Sequence, residues 1–332
     1  MKTKKERIFY YDVLRAFAII AVIICHVDHF FGPLTTQTQI IAQMTFHDIG
    51  RIGVPIFLMI SGALLLNREY PNLSDFLKRR FTRIIYPFIF WIILILAQLY
   101  YHGYNNTFMW NVFNGNSSIT WYFWTLIGIY LFIPVINSFV KEYKLKGVEY
   151  FLAIWFITMI LKTFNSYPLW TSFDLNLFAD YIGYPLLGYW LANKEFNLSD
   201  KKICILGLIT LLISLSVFVF CHYNKINLIS NIYQNIPIIF MGTGLFIFVM
   251  YLDKLNKFNS VKDNFIGKAI ISLSVCSYGM YFSHVIVVKA LSYHNPGSNI
   301  LFPLMFVLIV FLSWLMPYIF SKIPYVKKVC GV

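Results

Sequence analysis

Charge is scarce in this chain. Only 12% of its 332 residues are Asp, Glu, Lys or Arg, and just 14 are acidic, whereas soluble domains run nearer a quarter charged. That composition excludes an ordinary soluble domain. Spacings that would hold a metal or a disulfide are also missing. The five cysteines (Cys25, Cys204, Cys221, Cys276 and Cys330) form no CxxC pattern, and four of them sit in apolar runs where a small apolar residue fits, so neither a metal site nor a disulfide is expected. No connecting segment is long enough to be a second domain, and there is no internal repeat or low-complexity tract, so the expectation is one domain over residues 1–332. The basic start "MKTKKERIFYY" resembles the n-region of a signal peptide, but no small-x-small cleavage site closes the long apolar run behind it. A retained first helix follows.

What is present is apolar surface: 59% of residues are hydrophobic and 19% aromatic, with a mean hydropathy of +0.67. Windows of roughly 17 to 25 apolar residues suit a bilayer crossing, and they fall at 8–30, 50–67, 83–101, 119–139, 148–164, 176–193, 202–221, 229–252, 266–290 and 300–320. The expected fold is an all-α, polytopic membrane bundle of about ten transmembrane helices. Most of the 27 basic residues lie in alternate connecting segments, which places both termini in the cytoplasm by the positive-inside rule. The same asymmetry accounts for the net charge of +13 without any nucleic acid.

Titratable groups inside these runs are the candidates for function, because such groups are costly at membrane depth unless they face a bundle interior or a wet cavity. In "YYDVLRAFAIIAVIICHVDHF", eleven residues separate Arg15 from His26. At about 100° per residue the two share one face of a helix, about 16 Å apart along its axis. Asp12 stands at ion-pair spacing from Arg15, and the pair read alone could simply neutralise a buried arginine, which leaves His26 unexplained. The run "HDIGRIGVPIFLMISGALLL" places His47, Asp48 and Arg51 at the outer end of the second helix, while its Ser61–Gly62 pair suits close helix packing. In "FLKRRFTRIIYP", Arg80 and Arg83 are three apart on one face. Such a cluster serves as a topology signal and a contact for anionic membrane lipids, yet two guanidinium forks also suit a phosphorylated ligand. His284, in "SLSVCSYGMYFSHV", lies as far into its helix as His26 does into the first, so the two imidazoles are expected at one depth, in a cavity that handles protons.

Together these stretches resemble the integral-membrane acyltransferase 3 family. "DVLRAFAIIAVIICH" is similar to its Arg-x10-His signature, "VPIFLMISG" to its second-helix motif, "RFTR" to its Arg-x-x-Arg, "WYFWTLIGIYLFIPVI" to its Trp-rich fourth helix and "SYGMYFSHV" to its late Ser-Tyr-Gly-x-Tyr-x-x-His segment. The order is co-linear over essentially the whole chain. At the fourth helix "ITWYFW" stands where a His-Leu-Trp-Phe start is frequent, so no catalytic role is carried over there. The resemblance implies a multi-pass protein of a bacterial cytoplasmic (inner or plasma) membrane. Its acyl donor would be a cytoplasmic acyl-CoA, acetyl-CoA or another short acyl-CoA, acting as co-substrate with no permanently bound cofactor. The acceptor would be a hydroxyl of a cell-envelope glycan or its lipid-linked precursor.

The chemistry agrees with that implication. A sugar hydroxyl attacks a thioester slowly unless a base near neutral pKa takes its proton, and a neutral histidine is such a base. His26 is the expected base, either activating the acceptor directly or helping to form a transient acyl-protein intermediate, with Asp12, Arg15 and His284 beside it; Arg15, Arg80 and Arg83 are expected to hold the donor, and His47, Asp48 and Arg51 to face the acceptor. A different class also fits the residues: a proton-coupled transporter or flippase of a lipid-linked sugar, relaying protons through Asp12, Arg15, Asp180, His26 and His284. Such folds tend to show paired repeats with broken helices, and no pairing is visible. A scaffold without chemistry would not need matched histidines inside the membrane.

Overall fold

The computed structural model describes residues 7–27, 30–163, 175–178, 180–226, 235–292, 297–298 and 301–332, and among them there are helices and turns but no strand. The helices are α1 (Phe9–Ile24), α2 (Gln37–Gly50), α3 (Gly53–Leu65), α4 (Leu73–Tyr101), α5 (Asn106–Asn114), α6 (Trp121–Thr163), α7 (Gly183–Asn193), α8 (Asp200–Tyr223), α9 (Ile236–Lys254), the single turn α10 (Asn259–Lys262), α11 (Phe265–Ser292) and α12 (Phe302–Phe320). Seven stretches among the described residues are long and apolar enough to cross a membrane, with α2 and α3 together forming one of them. Helix α1 has 16 residues and α7 has 11, both short for a span, while the 43-residue α6 is broken at Lys144, whose φ is +51°. Large apolar side chains such as Ile93 on α4, Ile213 on α8 and Leu304 on α12 are more than half exposed. An outer band of this kind is what hydrocarbon, rather than water, would cover.

Several boundaries differ from the apolar windows for local reasons. Helix α4 begins ten residues before its window because Asn72 caps it, its side chain accepting from the Ser74 and Asp75 amides; a cap fixes a helix start whatever the hydropathy of the first turns. Helices α2 and α5 fall in segments expected to be loops. Each carries its own start signal, a Thr36–Gln39 capping box for α2 and an Asn105 cap for α5. The first window, 8–30, is shorter as a helix. Helix α1 ends at Ile24, and His26 sits in the turn beyond it, its amide donating to the Ile23 carbonyl at 2.9 Å. The start of the 229–252 window lies outside the described residues, and α9 is described from Ile236.

Helix α1 is the centre of the bundle, packed along α3 and α11. Gly50 and Gly53 let the α2–α3 junction approach the α1 backbone at Ala21 and Ala18. Deeper in the bundle α3 crosses α7. A Cβ on Gly62 would run into the Pro185 backbone, and one on Gly188 into that of Met59. The Ser61–Gly62 pair therefore divides its roles, with Gly62 making the crossing and Ser61 turned to a cavity. The C-terminal segment folds back onto α4 and α11, where the Trp91 indole donates to the Cys330 carbonyl at 3.0 Å and Cys330 is fully buried.

Candidate active site

Along α1, several elements line one cavity of about 330 Å³. Arg15 comes from α1, Arg80 and Arg83 from α4, and Arg68 from the loop between α3 and α4, with Ser61 and Tyr130 on the remaining wall. Arg68, Arg80 and Arg83 also line a neighbouring recess of about 320 Å³, together with Arg79, Tyr70 and Phe76. The two spaces share three guanidinium groups. Arg80 lies over the Phe76 ring, 5.8 Å from its centroid. The Asn137 amide on α6 donates to the Leu66 and Arg68 carbonyls at 3.0 and 3.1 Å, which fixes the loop that carries Arg68. Neither Arg68 nor Asn137 stands out in the sequence. Arg68 reads as one more basic residue of a connecting segment, and a single Asn in an apolar run carries no pattern.

Asp12 and Arg15 do approach one another, at 3.8 Å, but the closer partner of Asp12 is Arg7, which donates two hydrogen bonds at 2.5 and 2.7 Å. The Ser274 hydroxyl donates a further one at 2.6 Å. Hydrogen bonding to Asp12 holds the Arg7 guanidinium above its ordinary pKa. Asp12 is buried and absent from the cavity lining, so its carboxylate holds the start of α1 against α11. Arg15 is left facing the cavity with a looser counter-charge.

At the far end of α1 the two histidines meet. The rings of His26 and His284 are 5.0 Å apart, edge to face. Each Nδ1 donates to the carbonyl one helical turn back, His26 to Val22 at 2.8 Å and His284 to Met280 at 3.1 Å. Because a carbonyl can only accept, each neutral ring carries its proton on Nδ1, leaving Nε2 as the basic nitrogen. Nε2 of His284 is buried and has no hydrogen-bond partner among the described residues. Both imidazoles line a chamber of only about 10 Å³, closed by Tyr122 and Tyr281. These two tyrosines also line the arginine cavity. His26 in turn lines an open vestibule of about 560 Å³ on the other side, along with His47, Arg51, Asn116 and Trp121. Gly115 makes that vestibule's wall possible. It ends α5 at φ +87°, a conformation glycine adopts without strain, and turns the chain so that Asn116–Ser118 lie over the opening.

Arg51 and His47 border the vestibule, whereas Asp48 is fully buried behind them. Its carboxylate meets His222 Nδ1 at 3.0 Å and lies 3.6 Å from both His47 Nδ1 and Arg51 Nε. His222, at the last turn of α8, thus joins α8 to α2. It was not visible as a site residue, because only the fold brings positions 48 and 222 together. Asp180 stands apart from all of these groups, half exposed and paired with Lys162 at 2.8 Å, so the five proposed relay residues do not form one connected set. No group of three or more His, Cys, Asp or Glu side chains that could hold a metal occurs among the described residues.

The described residues thus form a series of spaces with lining residues in common: an arginine-lined recess and cavity, a histidine chamber the size of one water, and a polar vestibule. A family model described as an acyltransferase domain matches residues 8–321. No curated protein and no solved structure matches the chain.

Proposed function

The chain belongs to the acyltransferase 3 family, and from that premise we propose that it moves a short acyl group, acetyl above all, from cytoplasmic acyl-CoA to a hydroxyl of a cell-envelope glycan or its lipid-linked precursor. The observation that carries this reading is the shared lining: Tyr122 and Tyr281 join the arginine cavity to the chamber, and His26 joins the chamber to the vestibule. A donor anchored by its phosphates at Arg68, Arg80 and Arg83 could extend its pantetheine arm past Arg15 toward His26. Guanidinium forks match phosphate oxygens in pairs, and Arg79, Tyr70 and Phe76 around the recess offer flat surfaces for the nucleotide.

On the opposite side, the Trp121 ring with Asn116, Ser118 and Arg51 supplies the stacking face and hydrogen-bond groups a sugar needs. The proposed acceptor class follows the family resemblance, and within it we place the chain nearest in kind to the O-acetyltransferase of enterobacterial common antigen. In the transfer step the acceptor oxygen attacks the thioester carbonyl carbon while His26 Nε2 takes its proton. The C–S bond then breaks, and the thiolate of CoA leaves to be protonated. The Nδ1–H bond to Val22 holds His26 in the tautomer that can accept.

The proposal includes a topology of ten crossings, counting α1 and α7 as spans and α6 as two, with both termini and the Arg68–Arg83 segment in the cytoplasm. Asn105→Cys, in a background without other accessible thiols, is expected to react with an impermeant reagent added outside intact cells. Labelling only after the membrane is opened would reverse the orientation. For the donor site, Arg80→Ala and Arg83→Ala are each expected to raise the acyl-CoA KM by about tenfold, the scale of one charge-assisted hydrogen bond. Lysine should recover little of it, lacking the planar fork. Unchanged KM in both variants would reduce the cluster to a topology signal.

The class itself is tested with purified protein in detergent, where no gradient exists. Release of free CoA from acetyl-CoA that depends on added membrane glycolipid is the expected result. Glycolipid movement in liposomes that needs a proton gradient and no thioester would favour the transporter instead.

A further inference from the structure

The geometry points to Tyr122 and Tyr281 as the residues that set the length of the acyl group, by limiting the space in which its carbon chain must lie when the thioester reaches His26. This rests on the acyl-transfer reading and adds to it the residues that select the donor. The arginine cavity and the vestibule hold about 330 and 560 Å³, yet the chamber between them holds about 10 Å³. That is about the space of a single water. Whatever comes from the arginine side passes these two rings, since both line the cavity and the chamber.

Neither ring is free to swing aside. Each is 6% exposed. They meet edge to face with centroids 5.5 Å apart, and Tyr122 is backed by the Phe57 ring at 6.5 Å. The Tyr281 hydroxyl donates to the buried Ile119 carbonyl at 2.9 Å. Pushing the Tyr281 ring outward would break that bond and leave a carbonyl unpaired in an apolar wall. A methyl group is close to water in size, so the methyl end of an acetyl group enters the chamber with little adjustment. Each added methylene must displace a ring, which a packed pocket resists on the order of tenfold or more. The cavity walls below are wide by comparison, so the selection acts at the reacting end of the donor and not on its nucleotide.

The test uses membranes of cells that make the protein, which carry its acceptor, supplied with radiolabelled acetyl-, propanoyl- or butanoyl-CoA. Wild-type protein is expected to incorporate acetyl over butanoyl by about 100-fold, two methylenes at the tenfold scale. Tyr122→Ala should bring that ratio to within about tenfold by opening the chamber. Tyr281→Phe keeps the ring and removes the hydroxyl that donates to Ile119, so it should relax the ratio without abolishing acetyl transfer, which guards against a variant that fails to fold. Equal use of the three donors by wild-type protein would overturn the gauge, as would an unchanged ratio in both variants. Incorporation of none of the three defeats the acyl-transfer reading, and the gauge with it, so the two failures look different.

Discussion

Replacing His26 with alanine is expected to lower acyl transfer by about 10²-fold to 10⁴-fold, the usual contribution of a positioned general base, while the protein still reaches the membrane and melts like wild type. The ring sits in a turn past the end of α1 and is half-buried, so its loss removes little packing. His26→Gln sharpens the result. Its amide can still donate toward the Val22 carbonyl, but it cannot accept a proton at neutral pH, so glutamine should be as inactive as alanine. Incorporation of labelled acetyl into membrane glycan, normalised to folded protein, is the measurement. Near wild-type transfer by either variant would take His26 out of the mechanism and leave His284, whose buried Nε2 has no hydrogen bond among the described residues, as the base.

The second large effect is on the fold. Gly188→Leu is expected to lower the thermal midpoint in detergent by ~5 °C or more, or to prevent recovery of monodisperse protein. At this position the side chain meets not a movable group but the Met59 backbone, and at Gly62 the obstacle is the Pro185 backbone. Overfilling a packed site costs roughly 1–3 kcal/mol where neighbours can yield, and two helix backbones cannot yield without separating. Because Ser61 and Ile60 on the same helix line the arginine cavity, a protein that survived the change should also bind donor more weakly. Gly128→Leu is the control, since nothing stands within 4 Å of a Cβ there. A Gly188→Leu protein that melts with wild type would mean that α3 and α7 do not cross so closely.

Membrane character, helical class and most spans were legible in the sequence because they depend on local quantities. A run of apolar residues must be helical in hydrocarbon to satisfy its own backbone, and that holds whatever it packs against. The residues that drew attention, Arg15, His26, Arg80, Arg83 and His284, were legible for the same kind of reason, since a titratable group in an apolar run is conspicuous without knowing its neighbours. Helical spacing predicts Arg15 and His26 on one side of a continuous helix, whereas α1 stops two residues short of the histidine.

Packing decided which partners hold the charged groups most closely. Asp12 has an ion-pair partner three residues away, yet Arg7 and Ser274 hold it more closely, because α1 and α11 pack with that carboxylate between them. Asp48 finds His222 from 174 positions away. The narrowness of the histidine chamber belongs to this class as well: Tyr122 and Tyr281 are two aromatics among many in the chain, and only the crossing of their helices turns them into a wall beside His26. Hydropathy and helical period act along the chain and can be read from it, whereas a cavity is a property of what the chain leaves unfilled, and that depends on every helix at once.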